Sequence, residues 1–117
     1  MRIWWTVFLL GCGVPNGLLM HELEPEDLDE LCQELSAQQR DVVCTYDAAS
    51  ITVSLGESQA ECLESHDPVW FESCSVTVGD VRACQEAMFA LSDAEVCDLE
   101  MGLPESCAFM VDCAFGL

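Results

Sequence analysis

Short apolar stripes set against acidic faces recur along the chain from Pro25 onward. In PEDLDELCQELSAQQ, Pro25 to Gln39, residues Leu28, Leu31, Cys32 and Leu35 fall at i, i+3, i+4 and i+7. That spacing is one face of an α-helix. Pro25 suits a first helical turn, and Glu26 and Asp27 sit where the positive end of the macrodipole favours them. Ser58-Gln59-Ala60-Glu61, Thr77-Val78-Gly79-Asp80 and Ser92-Asp93-Ala94-Glu95 each have the Ser/Thr-x-x-acid spacing of a capping box. They open a helix over Gln59 to Ser65, a second whose stripe is Val81, Cys84, Met88 and Leu91, and a short turn carrying Cys97. Pro104 begins the last candidate, in which Cys107, Met110, Val111 and Ala114 share a face. RDVVCTYDAASITVSLG, Arg40 to Gly56, has two periods: Val42, Val43, Cys44 and Tyr46 could extend a helix, whereas Ile51, Val53 and Leu55 alternate with Thr52 and Ser54 in strand fashion. The expectation there is a helix passing into an irregular or weakly extended piece. The fold class read from this pattern is all-α, a small disulfide-rich bundle of about four short helices with irregular connections, each too short to be stable alone.

Charge narrows the partners. The 117 residues hold 3 basic and 22 acidic side chains, a formal charge of −19, and the basic residues are Arg2, Arg40 and Arg82. Such a surface repels nucleic-acid phosphates and anionic headgroups. The compatible partner is a cation or a basic protein, and the alternative is that the charge only keeps the protein soluble. The acids of the first helix are expected to form a solvated face. A calcium loop, with its fixed spacing and central glycine, is absent.

The N-terminus, MRIWWTVFLLGCG, has one positive residue, Arg2, then the apolar run Ile3 to Leu10. As a helix that run spans about 12 Å against a hydrocarbon core of about 30 Å, so it suits the apolar region of a signal peptide and not a membrane span. Leu9-Leu10-Gly11-Cys12 resembles the lipobox of bacterial lipoproteins. The resemblance implies that Cys12 receives a diacylglycerol on sulfur, that cleavage falls between Gly11 and Cys12, and that the new N-terminus is acylated. Two or three acyl chains would anchor the protein stably, where one holds it only marginally. Gly13 after the lipidated cysteine implies, by the same resemblance, the outer membrane. Cleavage of an ordinary leader after Gly13 and an unprocessed N-terminus remain open. The division expected is a lipoprotein signal peptide over residues 1–11, a tether over 12–25 broken by Pro15, Asn16 and Gly17, and a cysteine-rich helical domain over 26–117. The tether reaches at most about 50 Å, and its apolar residues Leu18, Leu19 and Met20 are expected to lie against the domain or to dip into the bilayer surface.

There are 9 cysteines, a density near that of small disulfide scaffolds, which persist in oxidising compartments. Setting Cys12 aside leaves an even set for pairing: Cys32, Cys44, Cys62, Cys74, Cys84, Cys97, Cys107 and Cys113. Spacing does not choose among the pairings. Cys74/Cys84 and Cys97/Cys107 are both C-x9-C, which resembles the twin motif of disulfide-linked helical hairpins. That resemblance implies nested bonds, Cys84 to Cys97 and Cys74 to Cys107. Zinc spacings such as C-x2-C do not occur, so no metal and no other cofactor is expected.

No nucleophile–base pair and no C-x-x-C redox motif is present, so an enzyme is not expected. His21 and His66 are expected to be surface or structural residues. Trp70 and Phe71 are expected to be core or lid residues over the disulfides. With its lipobox, its cysteine density and the stretch VTVGDVRACQEAM, the chain resembles the small acidic cysteine-rich predicted lipoproteins of Gram-negative bacteria. The functional expectation is a membrane-anchored extracytoplasmic structural or interaction module. The alternative is a secreted, non-lipidated cysteine-rich protein that binds a ligand or cation.

Overall fold

The computed structural model describes residues 13–98 and 100–115. The lipobox reading of Gly11 and Cys12, and the leader before them, lie outside these residues.

Capping sets the helix starts. Helix α1 covers Pro25–Leu35, and the Glu24 backbone N–H donates to Asp27 Oδ2 at 3.3 Å. It buries Leu28, Leu31, Cys32 and Leu35, the stripe read from the sequence. It stops at Leu35 because Ser36, Gln38 and Gln39, with only Ala37 between them, carry the stripe no further. Helix α2, Gln59–Ser65, α3, Val78–Phe89, and α4, Asp93–Val96, start immediately after Ser58, Thr77 and Ser92, and all three capping boxes form. Helix α5 covers Phe109–Phe115. Single 3-10 turns occupy Met20–Glu22, Pro68–Phe71 and Glu105–Cys107.

The all-α expectation is overturned between α1 and α2. Strand β1, Arg40–Tyr46, pairs antiparallel with β2, Ala49–Leu55, so the described fold is mixed α and β. The register sets Arg40 against Leu55, Val42 against Val53, Cys44 against Ile51 and Tyr46 against Ala49. Burial along β1 has a period of two: Val42 and Cys44 are buried, while Asp41, Val43 and Thr45 are exposed. Val43, a residue that could extend a helix by its spacing, is 66% exposed. Val42, Val43, Thr45, Ile51, Thr52 and Val53 are β-branched and fit a pleated surface better than a helix. The chain reverses through Asp47 and Ala48, with Asp47 at φ 46°, a left-handed conformation that Asp tolerates better than most residues. The hairpin closes on Gly56 at φ 95°, where a Cβ would lie 2.5 Å from the Gln38 carbonyl oxygen.

The expected tether is largely part of the domain. Val14, Met20 and Leu23 are buried at 3%, 0% and 7% exposure. Leu19 bridges Thr77 in antiparallel fashion. The Met20 N–H donates to Val76 O and the Val78 N–H to Leu18 O, both at 2.8 Å, and the Gly79 N–H donates to Asn16 O at 2.9 Å. Pro15 and Gly17 break regular structure, as read, yet Leu18 to Met20 lies in a groove beside the start of α3. Sequence periodicity cannot report such docking, because the hydrogen bonds run to residues some sixty positions away.

One apolar core joins this N-terminal segment to α1, α2, the 3-10 turn at Phe71 and the start of α3, around Met20, Leu31, Cys32, Cys62, Phe71 and Val78. Four disulfides bind it and its surroundings: Cys32–Cys62 joins α1 to α2, Cys44–Cys97 joins β1 to the end of α4, Cys74–Cys113 reaches α5, and Cys84–Cys107 ties α3 to the last 3-10 turn. The nested pairing implied by the twin C-x9-C resemblance is therefore replaced. Cys84 pairs with Cys107 and Cys74 with Cys113, across Cα–Cα distances of 4.7 and 5.7 Å. The physical reason is that Ser75 to Thr77 is extended chain leading to the cap of α3, so the first motif never forms the helix a twin hairpin needs. The sequence separations are 30, 53, 39 and 23 residues. In the chain-entropy account such loops stabilise by about 3 to 4 kcal/mol each.

Candidate functional site

Between the end of β2, α2, α3 and α5 lies an open cleft of about 830 Å³. Leu35, Leu55, Phe71, Val81 and Phe89 form much of its apolar lining, with Met88, Leu103, Phe109 and Met110 completing it toward α5. Cys62, Cys84 and Cys113 also line it. Each belongs to a different disulfide, so each wall is crosslinked to a neighbouring stretch of chain: α2 to α1, α3 to the last 3-10 turn and α5 to the segment after Phe71. Such a cleft is preformed, and a ligand need not supply the ordering cost of assembling it.

Helix α2 places the polar wall. Ser65 and His66 end it, and Glu57 precedes its cap. Ser65 Oγ donates to Glu57 Oε1 at 2.9 Å and lies 2.9 Å from His66 Nδ1. The same Nδ1 is 3.1 Å from the Cys62 carbonyl oxygen. A carbonyl only accepts, so Nδ1 carries the proton, and in the neutral ring Nε2 is left as an acceptor. Glu57 Oε1 is 3.7 Å from Nδ1 and forms an ion pair when His66 is protonated. The His66 ring also stacks on Phe71, centroids 6.5 Å apart. The serine stands between carboxylate and imidazole, whereas a nucleophilic triad needs the imidazole between serine and carboxylate. The wall therefore orients His66 and is not a triad of that kind.

The edge of the cleft is aromatic and acidic. Trp70 is 62% exposed, with its indole N–H donating to the Glu64 carbonyl oxygen at 3.1 Å. The pair Trp70 and Phe71 divides its roles: Phe71 is core, as expected, and Trp70 borders the cleft. The charged residues of the lining are Glu57 and Glu64, with His66 the titratable base. Both described arginines are engaged elsewhere. Arg82 forms a two-point ion pair with Glu34, at 2.7 and 2.8 Å, and donates to Asn16 Oδ1 at 2.6 Å. Arg40 donates to the carbonyls of Phe89 and Leu91, at 3.2 and 2.9 Å, and to Asp93 at 2.6 Å. There it satisfies the last carbonyl of α3 and one just beyond the helix end.

Among the described residues one group has the spacing of metal ligands: Cys32, Cys62 and His66, with their donor atoms within 4.8 Å of one another. The two sulfurs are bonded together, so they offer no thiolates and the set cannot serve as a thiolate zinc site. His66, expected as a surface or structural residue, stands in the cleft wall, and His21 sits in the 3-10 turn, half-buried. Glu57 and Ser65 carried no signal in the sequence, because only the folding of α2 brings the serine back onto the carboxylate that precedes its cap, and Met88 was legible only as part of a helical stripe. No helix among the described residues is long and apolar enough to cross a membrane. No family model, curated protein or solved structure matches the chain.

Proposed function

We propose that this protein is an exported, non-catalytic binding module, anchored to the outer membrane through lipid on Cys12, that captures a cationic amphipathic segment of a partner protein in the cleft. The observation that carries the reading is the cleft itself: an apolar lining edged by the carboxylates of Glu57 and Glu64, with both described arginines bound elsewhere. An apolar stripe fits the lining and Lys or Arg side chains fit the edge, where Trp70 adds a cation–π face. The disulfides support export, because such bonds persist in oxidising compartments. Gly11 and Cys12 support the lipid by their resemblance to a lipobox. Removal of the leader takes Arg2 with it and leaves 2 basic against 22 acidic residues, a charge of −20, so attachment to an anionic bilayer needs acyl chains and not a basic patch.

Trp4 and Trp5 leave with the leader, so Trp70 becomes the sole tryptophan and reports on the cleft. Titrating leader-free protein with a basic amphipathic helical peptide is expected to shift Trp70 emission, with affinity falling about tenfold or more as salt rises from 50 to 500 mM. Glu57→Gln with Glu64→Gln weakens binding further. Binding that ignores salt, or a Trp70 signal that never responds, overturns the reading. Intact mass of the membrane-fraction protein tests the anchor: acyl mass on Cys12 supports it, and an unmodified chain beginning after Gly13 replaces it with a secreted protein.

A further inference from the structure

The hairpin has one closed edge and one open edge. Asp47 and Ala48 form a two-residue turn, so Tyr46 and Ala49 are its closing hydrogen-bonded pair. Antiparallel alternation then makes Thr45–Ser50, Val43–Thr52 and Asp41–Ser54 the pairs whose backbone groups point away from the partner strand. Two observations agree with that assignment. The hydroxyls of Thr45 and Ser50 approach to 3.4 Å, as side chains do in the closer, non-hydrogen-bonded pairs. On the outer edge of β1, the Val43 carbonyl oxygen meets Cys97 Sγ at 4.0 Å, so the end of α4 covers that edge. Among the described residues the outer edge of β2 has no such cover. Ser50, Thr52 and Ser54 are exposed, and among the described residues no backbone or side-chain group outside the hairpin hydrogen-bonds to them.

Proteins usually protect an open edge with charge, proline or a bulge. Here Ala48 to Gly56 contains no ionisable residue and no proline, and all seven strand residues pair in continuous register. The charges lie at the two ends instead. Asp47 stands at the turn, and Asp41 is the register partner of Ser54 at the far end. Both are exposed, and among the described residues neither carboxylate has an ion-pair partner. A second copy of this chain would bring a further charge of about −20 to that edge, which opposes self-pairing. Beyond Ser54, the strand's last residue and Gly56 lead into the lining of the cleft.

We propose that the outer edge of β2 accepts an extended segment of the partner as a third strand: an uncharged, β-branched run of about seven residues with a Lys or Arg at each end. This rests on the reading of a cationic partner, and it adds a second contact contiguous with the cleft. Main-chain hydrogen bonds to Ser50, Thr52 and Ser54 supply the pairing, and Asp41 and Asp47 select the basic ends.

The test uses leader-free protein and two synthetic probes: a nine-residue peptide of alternating Val and Thr with terminal lysines, and the basic helical peptide that reads the cleft. Hydrogen exchange at the amides of Ser50, Thr52 and Ser54 is expected to slow at least tenfold with the first probe. Thr52→Pro removes an outward amide without touching the β1–β2 ladder, so it is expected to abolish that protection while Trp70 still responds to the helical probe. As a check that leaves the protein unchanged, a strand probe N-methylated along one edge is expected to lose binding. Unchanged exchange in β2 while Trp70 responds to the helical probe overturns the edge site and leaves the cleft reading intact. Equal binding of a probe with terminal glutamates overturns the charge selection and with it the proposal. Silence with both probes overturns both readings.

Discussion

Met20 and Leu31 sit at 0% exposure in the helical body, whereas Ile51 and Val43, equally apolar, stand 50% and 66% exposed on the hairpin. The body buries a continuous set of side chains from five stretches of chain. The hairpin buries Val42, Cys44 and Leu55, which lie outside that continuous core. It is held instead by Cys44–Cys97, by Arg40 on the carbonyls at and just beyond the end of α3, and by Tyr46 Oη donating to the Cys97 carbonyl oxygen at 2.7 Å. Packing and crosslinks reinforce each other in one region; in the other, a crosslink and a few polar contacts stand in for packing. The difference teaches that cysteine does two jobs here. Cys32–Cys62 is buried inside the core it crosslinks, and Cys44–Cys97 moors an element that has little core of its own.

The contrast is open to a graded set of tests. Replacing Cys32 and Cys62 together by Ala removes a crosslink from the buried core and is expected to have the largest effect, a loss of about 4 kcal/mol or more from crosslink and cavity together. Chemical denaturation should show one transition at much lower midpoint. Met20→Ala is expected to destabilise by about 2 to 4 kcal/mol in the same assay, far more than a residue of a free tether could. Cys44→Ser with Cys97→Ser is expected to lower the same transition by about 3 to 4 kcal/mol through the lost crosslink alone, with no cavity opened in the continuous core, and to accelerate amide exchange across β1 and β2 well beyond that in α1 and α2. A global loss equal to that of the first pair would abolish the distinction between the regions. Arg40→Met should reproduce a weaker version of the same local loosening, about 1 kcal/mol in hairpin exchange, by removing the caps on Phe89 and Leu91.

The smallest effect concerns the caps. The Glu61 and Glu95 carboxylates accept hydrogen bonds from the backbone and then the side chain of Ser58 and Ser92 respectively, which holds both below the ordinary glutamate value. A depressed value means a contribution that is present above the ordinary range and lost as pH falls through the lowered one. Carboxyl chemical shifts should therefore place both midpoints below the ordinary glutamate value, and the first turns of α2 and α4 should fray on further acidification.

Those caps also show what a sequence displays openly. Ser58, Thr77 and Ser92 each act on residues three positions away, so their spacing alone located three helix starts. The hairpin was half legible: Ile51, Val53 and Leu55 alternate, but the adjacent Val42 and Val43 imitate a helical stripe until burial shows that only Val42 faces inward. The disulfide partners were illegible, because their choice depends on how distant elements pack. So was the cleft, where Glu57 and Ser65 become meaningful only once Phe71 places a ring beside His66. The apolar run Leu18 to Met20 left the domain and the bilayer surface as alternatives, and its hydrogen bonds with Val76 and Val78 set it beside α3.

Val14 carries a consequence for the proposed anchor. It is 3% exposed, and only Gly13 separates it from position 12, so under the proposed lipidation the leash between acyl chains and folded body is a single residue, about 4 Å per Cα step. A molecule moored that closely cannot tumble freely over the bilayer. It would present a fixed side to the headgroups and a fixed side to whatever passes above, turning the domain from a float into a mounted fitting.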